Sequence, residues 1–166
     1  MTKRATDQEP LRGLAASDGL VTLRPITTAD LDEVMAIERA SYRFPWSQNF
    51  FLQELQVACA RSILAEINGQ IVGYVLFWCL PGAVDIHNVA VHVEHRRRGI
   101  ARLLLGKVLD QAKARSTSRV MLEVRKSNLA AQKLYQSLGF SVTGVRKGYY
   151  SDDGEDAFAM TLELGS

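Results

Sequence analysis

The residues from Asn88 to Leu105 constrain the fold of this chain more than any other stretch. Asn88-Val89-Ala90-Val91-His92-Val93 alternates apolar with other residues, the period of a strand. A charged turn follows, Glu94-His95-Arg96-Arg97-Arg98, then one glycine, Gly99, and an apolar repeat of helical period from Ile100. A strand–turn–helix of this kind aims several backbone N–H groups and the positive end of a helix dipole at one point. Such a point is a seat for a phosphate, and three neighbouring arginines deepen its positive potential. Gly99 lets the backbone turn and approach a ligand closely; the plainer alternative is a helix-start glycine amid solvated arginines. No Gly-Lys-Ser/Thr follows it, and the three-glycine spacing of a dinucleotide fingerprint is missing, which disfavours a nucleotide-triphosphate enzyme.

The rest of the chain has to build one domain around that unit, because 166 residues suffice for a single real core. Hydrophobic residues at 47% with 23% charged are those of a soluble globular protein. A net charge of +2, with its bases in one compact cluster, argues against nucleic acid as the main ligand. Cys59 and Cys79 have no second cysteine or histidine at metal-ligand spacing, so buried reduced thiols and no metal are expected. Neither a signal-peptide pattern nor an apolar window of ~20 residues is present, and a cytoplasmic, non-membrane protein is the expectation.

Residues 1–19 are polar and aperiodic and read as a flexible extension, leaving 20–166 as the single domain. Val21 to Pro25 reads as a strand, and Thr27 to Asp30 as the cap of a helix with the stripe Leu31, Val34, Met35, Ile37-Glu38. Pro45 ends that helix, and Ser47 can cap a second. Asn68-Gly69 joins strands Ser62–Ile67 and Ile71–Cys79 in a hairpin. A strand from Val84 to Val93 feeds the opening unit, whose helix carries Ile100, Leu104, Val108 and Ala112 on one face. Val120–Val124 is a strand, Asn128–Leu138 a helix ended by Gly139, and Phe140–Val145 and Ala157–Leu164 two last strands. The order β-α-α-β-β-β-α-β-α-β-β implies an α/β domain: a mixed sheet with helices on both faces.

Four candidate groups remain. Glu123 shares a strand face with Met121, opposite Val120, Leu122 and Val124. A carboxylate inside a central strand is rare unless it is used or ion-paired, here with Arg125 or another base. Tyr135 is either a core aromatic with its hydroxyl at the rim or a reacting group, and Asn128 a helix cap that can also touch a ligand. Phe44-Pro45-Trp46-Ser47 is a staple between helices or a wall of a substrate groove. Tyr149-Tyr150 with Asp152, Asp153, Glu155 and Asp156 is an aromatic, acidic lip or, preferred for the acids, a solvated hairpin tip.

Together these residues resemble the GCN5-related N-acetyltransferase (GNAT) superfamily. Its phosphate motif, Gln/Arg-x-x-Gly-x-Gly/Ala, is matched by Arg96-Arg97-Arg98-Gly99-Ile100-Ala101. Within it the likeness runs to the RimI-like ribosomal-protein-alanine N-acetyltransferases, carried by Phe44-Pro45-Trp46-Ser47, Asn88-Val89-Ala90-Val91, Leu122-Glu123-Val124-Arg125-x-Ser127-Asn128 and Leu134-Tyr135-x-x-Leu138-Gly139-Phe140. Tyr149-Tyr150 and Glu155-Asp156-Ala157 extend it. The resemblance implies a mixed, mostly antiparallel central sheet of about seven strands. It implies acetyl-CoA as co-substrate, with Val89, Ala90 and Val91 on its pantetheine arm, Arg96, Arg97, Arg98, Gly99, Ile100, Ala101 and Arg102 about its pyrophosphate, and Asn128 also in contact. Glu123 would be the general base and Tyr135 the general acid, with Phe44, Trp46, Tyr149 and Tyr150 meeting the acceptor. The implied acceptor is a protein N-terminus, the alanine of a small-subunit ribosomal protein, with a monomeric enzyme favoured. Other protein N-termini, lysine side chains or small-molecule amines are the alternatives in the same class, and a non-catalytic CoA-binding, ribosome-associated module the alternative outside it.

Elementary chemistry is compatible with these roles. An α-amine (pKa ~8) is about a tenth neutral at pH 7, against about 0.04% for lysine, so a glutamate relaying through water suffices for an N-terminus. An ordinary tyrosine (~10) protonating a thiolate (~8.5) works uphill by about 1.5 units, roughly 2 kcal/mol.

Overall fold

The structure, a computed structural model, describes residues 11–16 and 19–165, and side chains from residue 19 onward. Its elements are β1 (Leu11–Ala16), β2 (Gly19–Arg24), α1 (Leu31–Ser41), α2 (Gln48–Glu54), β3 (Ala60–Ile67), β4 (Gln70–Leu80), β5 (Ala83–Val91), α3 (Ile100–Ala114), β6 (Arg119–Arg125), α4 (Leu129–Ser137), β7 (Ser141–Arg146) and β8 (Ala157–Glu163). The strands form one sheet in the order β1-β2-β3-β4-β5-β6-β8-β7. Neighbours are antiparallel except β5 and β6, which are parallel and joined through α3. That connection is the strand–helix–strand crossover that the opening unit required.

Local chemistry accounts for the elements. Asn68 and Gly69 both have left-handed φ, 50° and 79°, the tight turn whose twist matches antiparallel strands. Ser47 Oγ accepts the Phe50 N–H at 3.1 Å to cap α2, and Asn128 Oδ1 the Ala131 N–H at 3.2 Å to cap α4. Gly139, at φ 101°, ends α4. Two expectations need correction. Leu11–Ala16, assigned to a flexible extension, is an eighth strand pairing antiparallel with β2. Edge pairing is made by backbone groups and needs no apolar alternation, so composition could not reveal it. The strand expected to run to Val93 stops at Val91, and Val93–His95 is a 3₁₀ turn.

The core has two layers, one on each face of the sheet. Leu31, Val34, Met35 and Ile37 of α1, with Phe51 of α2, pack on Leu64, Tyr74, Leu76 and Ala90. Ile100, Leu104, Val108 and Ala112 of α3 pack on Val72, Val75, Phe77, Val84 and Val120, with Tyr135 of α4 in the same layer. A bulge in β5 redirects the strand between these layers. Leu76 opposes Asn88 and Phe77 opposes Ile86, which leaves His87 as the extra residue. Ile86 therefore enters the α3 layer, whereas Asn88 and Ala90 face α1. The parallel pairing ends where the bulge begins: Ile86–Leu122 is the last matched pair, although β5 continues to Val91 and β6 to Arg125. The two strands part there, and the gap between them is the site.

Candidate functional site

The gap opens into two cavities that share four residues. One, of about 550 Å³, is lined by Val89, Ala90 and Val91 of β5, by the turn before α3, and by α4. The other, of about 430 Å³, lies between β5 and β6 on the α1 side, with Glu123, His87, Phe44, Trp46 and Tyr150 in its walls. Tyr42, Val89, Asn128 and Tyr135 line both. A larger cavity of about 690 Å³, between β2, β3, α2 and α3, shares no residue with either and lies away from this chemistry.

The first cavity has the edge of β5 as a wall. The His92 N–H donates to Val72 O at 2.8 Å, toward β4; by strand alternation the polar groups of Val91 and Val89 point the other way, into the gap. Their carbonyls are already occupied, Val89 O by the Tyr42 hydroxyl and Val91 O by Arg96 Nε at 3.1 Å. The turn that follows is curled by two left-handed residues, Arg97 (φ 61°) and Gly99 (φ 81°). A Cβ on Gly99 would meet no atom within 4 Å, so glycine is required here for its conformation. α3 begins at Ile100, and the N–H groups of its first turn have no intrahelical acceptors; Gly99, Ile100, Ala101 and Arg102 line the cavity. The arginines divide their work. Arg96, Arg97 and Arg102 line the cavity, Arg102 also reaching Ser137 Oγ at 2.7 Å. Arg96 pins the turn, bonding Ser41 Oγ at 3.1 Å as well as Val91 O. Arg98 belongs to the turn but is not part of this lining.

In the second cavity Glu123 holds its carboxylate 19% exposed, with Arg146 Nε at 3.2 Å. The ion pair is thus with Arg146; Arg125 turns away to the acidic loop. Burial, and then the charge of Asp85, raise the pKa of Glu123, while Arg146 and His87 oppose the rise. Tyr135 is 7% exposed, and burial, with Tyr150 nearby, pushes its pKa up to about 12. Phe44, Trp46 and Tyr150 line this cavity, whereas Tyr149 is exposed and stacks edge-on against Tyr150 at 5.1 Å.

The acidic turn is exposed at residues 151–154, and three of its carboxylates are also ion-paired. Asp152, Asp153 and Glu155 converge on Arg125 at 2.7, 3.0 and 3.2 Å. Glu38 and Tyr42 were not singled out from the sequence. Glu38, 1% exposed, accepts from the Trp46 N–H at 3.0 Å, Asn88 Nδ2 at 2.9 Å and the Tyr74 hydroxyl. It therefore ties the Phe44–Ser47 loop to β4 and β5 in one buried network. Its position at the end of the apolar stripe of α1 was the available signal, since a carboxylate there must be satisfied. Nothing in the sequence marked Tyr42.

The acetyltransferase (GNAT) family model matches residues 31–140. The ribosomal protein bS18-alanine N-acetyltransferase of Escherichia coli (strain K12) is 32% identical over 145 residues, 86% of this chain and 97% of that protein. The enzyme of the same description from Haemophilus ducreyi is 34% identical over 145 residues, 86% of this chain and 99% of its own. The crystal structure of the E. coli ribosomal-protein-S18-alanine N-acetyltransferase matches with a TM-score of 0.81 at 32% identity, covering 88% of this chain and 95% of that one.

Proposed function

Because this chain belongs to the acetyltransferase (GNAT) family, we propose that it moves an acetyl group from acetyl-CoA to a protein N-terminus, the acceptor being the N-terminal alanine of a small-subunit ribosomal protein. The observation that carries this reading is the meeting of two cavities at Tyr42, Val89, Asn128 and Tyr135, with Glu123 in only one of them. A donor and an acceptor can thus occupy separate cavities and touch at one place, which is what direct transfer needs.

The first cavity fits acetyl-CoA. Its strand edge offers the Val89 and Val91 N–H groups to an amide-bearing arm, and the curled turn with Arg97 and Arg102 at the α3 N-terminus suits a pyrophosphate. Bound there, acetyl-CoA supplies an activated thioester. The roles of the protein groups follow from their surroundings. The Val89 and Val91 N–H groups, turned by strand alternation toward the gap, polarise the acyl oxygen. Glu123, made a stronger base by burial, accepts the amine proton through water.

Tyr135 calls for a quantitative change. At about 12 its pKa exceeds that of a thiolate (~8.5) by about 3.5 units, so complete transfer costs about 5 kcal/mol rather than roughly 2. Tyr135 therefore serves first as a permanent hydrogen-bond donor to the leaving sulfur and only later as its proton source. The test is to mix the protein with acetyl-CoA and peptides starting with alanine or other residues, following thiol release and locating the acetyl group by mass spectrometry. Absence of thiol above background with every peptide refutes the reading, and acetyl found on lysine side chains alone transfers it to a different acceptor.

A further inference from the structure

One residue touches both outer walls of the second cavity. Arg125 is the last residue of β6 and shares the strand face of Glu123. Its guanidinium lies 3.9 Å from the Tyr150 ring centroid on one wall and 5.8 Å from that of Phe44 on the other. Its Nη2 donates to Asp152 Oδ2 at 2.7 Å, and its Nη1 to Asp153 Oδ1 and Oδ2 at 3.0 and 3.1 Å and to Glu155 Oε1 at 3.2 Å. The Ser127 N–H holds the other oxygen of Glu155 at 2.8 Å. Asp153 and Glu155 are both held below the usual carboxylate range, Asp153 chiefly by the Glu155 N–H and Glu155 chiefly by Ser127, with Arg125 adding to each. Three carboxylates on one short connection would repel one another without this cation.

Resting on the reading of the second cavity as the acceptor site, we propose that Arg125 is a positioning residue that holds both outer walls of that cavity on one guanidinium and so sets acceptor affinity. Transfer itself depends on other contacts: Glu123 is held by Arg146, and Tyr135 packs on Phe140 at 6.0 Å. Arg125 does not line the cofactor cavity. The geometry demands arginine. Lysine keeps a charge for one carboxylate but has neither the fork that reaches three nor the flat face that stacks on Tyr150.

The test uses the full chain with Arg125→Met and Arg125→Lys. At saturating acetyl-CoA, Arg125→Met should raise KM for an alanine-initiated peptide about tenfold or more while kcat changes less than about threefold. The CoA dissociation constant should be unchanged, and Arg125→Lys should fall between the two. Amide exchange should rise together in residues 42–46 and 148–156. An unchanged KM, a fall confined to kcat, or loosening of only one segment overturns the proposal. If the wild-type chain turns over no peptide, the functional reading fails by itself. The exchange data then decide the clamp: joint loosening supports it, and independent or absent loosening overturns it.

Discussion

On the proposed mechanism Glu123 takes a proton near neutral pH, which a fully solvated carboxylate does poorly, and its carboxylate is only 19% exposed. Burial and Asp85 favour its neutral form, so the native state binds a proton on Glu123 more readily than the unfolded chain does. A raised folded pKa contributes stability below the ordinary carboxylate range and loses that contribution as pH rises through the folded value. At pH 7 the ionised side chain is therefore a cost. Glu123→Gln should lower kcat by about 10²- to 10⁴-fold at pH 7, with less loss at high pH where the amine is already neutral, yet leave Tm at pH 7 unchanged or higher. Stopped assays over a pH series and a thermal melt check both halves. Tyr135→Phe should lower kcat and spare CoA binding by calorimetry, because on the proposed mechanism the hydrogen bond from Tyr135 to the sulfur strengthens as charge develops there. With its pKa pushed up to about 12, Tyr135 stays protonated through the alkaline range, and loss of rate between pH 8 and 10 would have to come from another group.

At the level of elements, the start of α3 and the bulge in β5 do the positioning. Gly99 holds φ 81° with open space around it, so replacing it tests conformation without creating a clash. Gly99→Ala should weaken CoA binding, by about 1 kcal/mol or some fivefold, with the peptide KM unchanged, since strain there displaces the turn and not the acceptor walls. The bulge at His87 has the opposite kind of effect. It moves Asn88 to the α1 face, where Glu38 binds it at 2.9 Å, and leaves Val89 and Val91 facing the gap. A regular strand would point both sets elsewhere.

Across the whole molecule, the N-terminal half is locked to the sheet by one charged network. Arg24 of β2 bonds both oxygens of Asp30 at 2.7 Å, and its Nε reaches Glu66 of β3 at 2.9 Å. Arg24 first, and then the Thr27 N–H, hold the Asp30 pKa down at about 2 despite burial. A depressed folded pKa means stability that is present above the unfolded carboxylate value and lost as pH falls toward about 2. Asp30→Asn should lower Tm at pH 7 by about 3–6 °C and have almost no effect at pH 2, measured by thermal melts at both values.

Periodicity and turn chemistry made most of this architecture legible, because they are local: the Asn68-Gly69 hairpin, the stripes of α1 and α3, the caps at Ser47 and Asn128, and the curled turn at Gly99. The site candidates legible in the sequence were those whose residue type conflicts with its local setting, such as Glu123 inside a strand. What lay beyond it depends on contacts between distant segments. The pairing of β1 with β2, the choice of Arg146 over Arg125 as partner to Glu123, the withdrawal of Tyr149 and the recruitment of Tyr42 were all decided by packing. So was the acidic connection between β7 and β8. Its charges suggest solvent when read in isolation, and become a structural device only because β6 brings a guanidinium beneath them. The type of each element depends on neighbours along the chain, and the partner of each charge on neighbours in space, which exist only once the sheet is assembled.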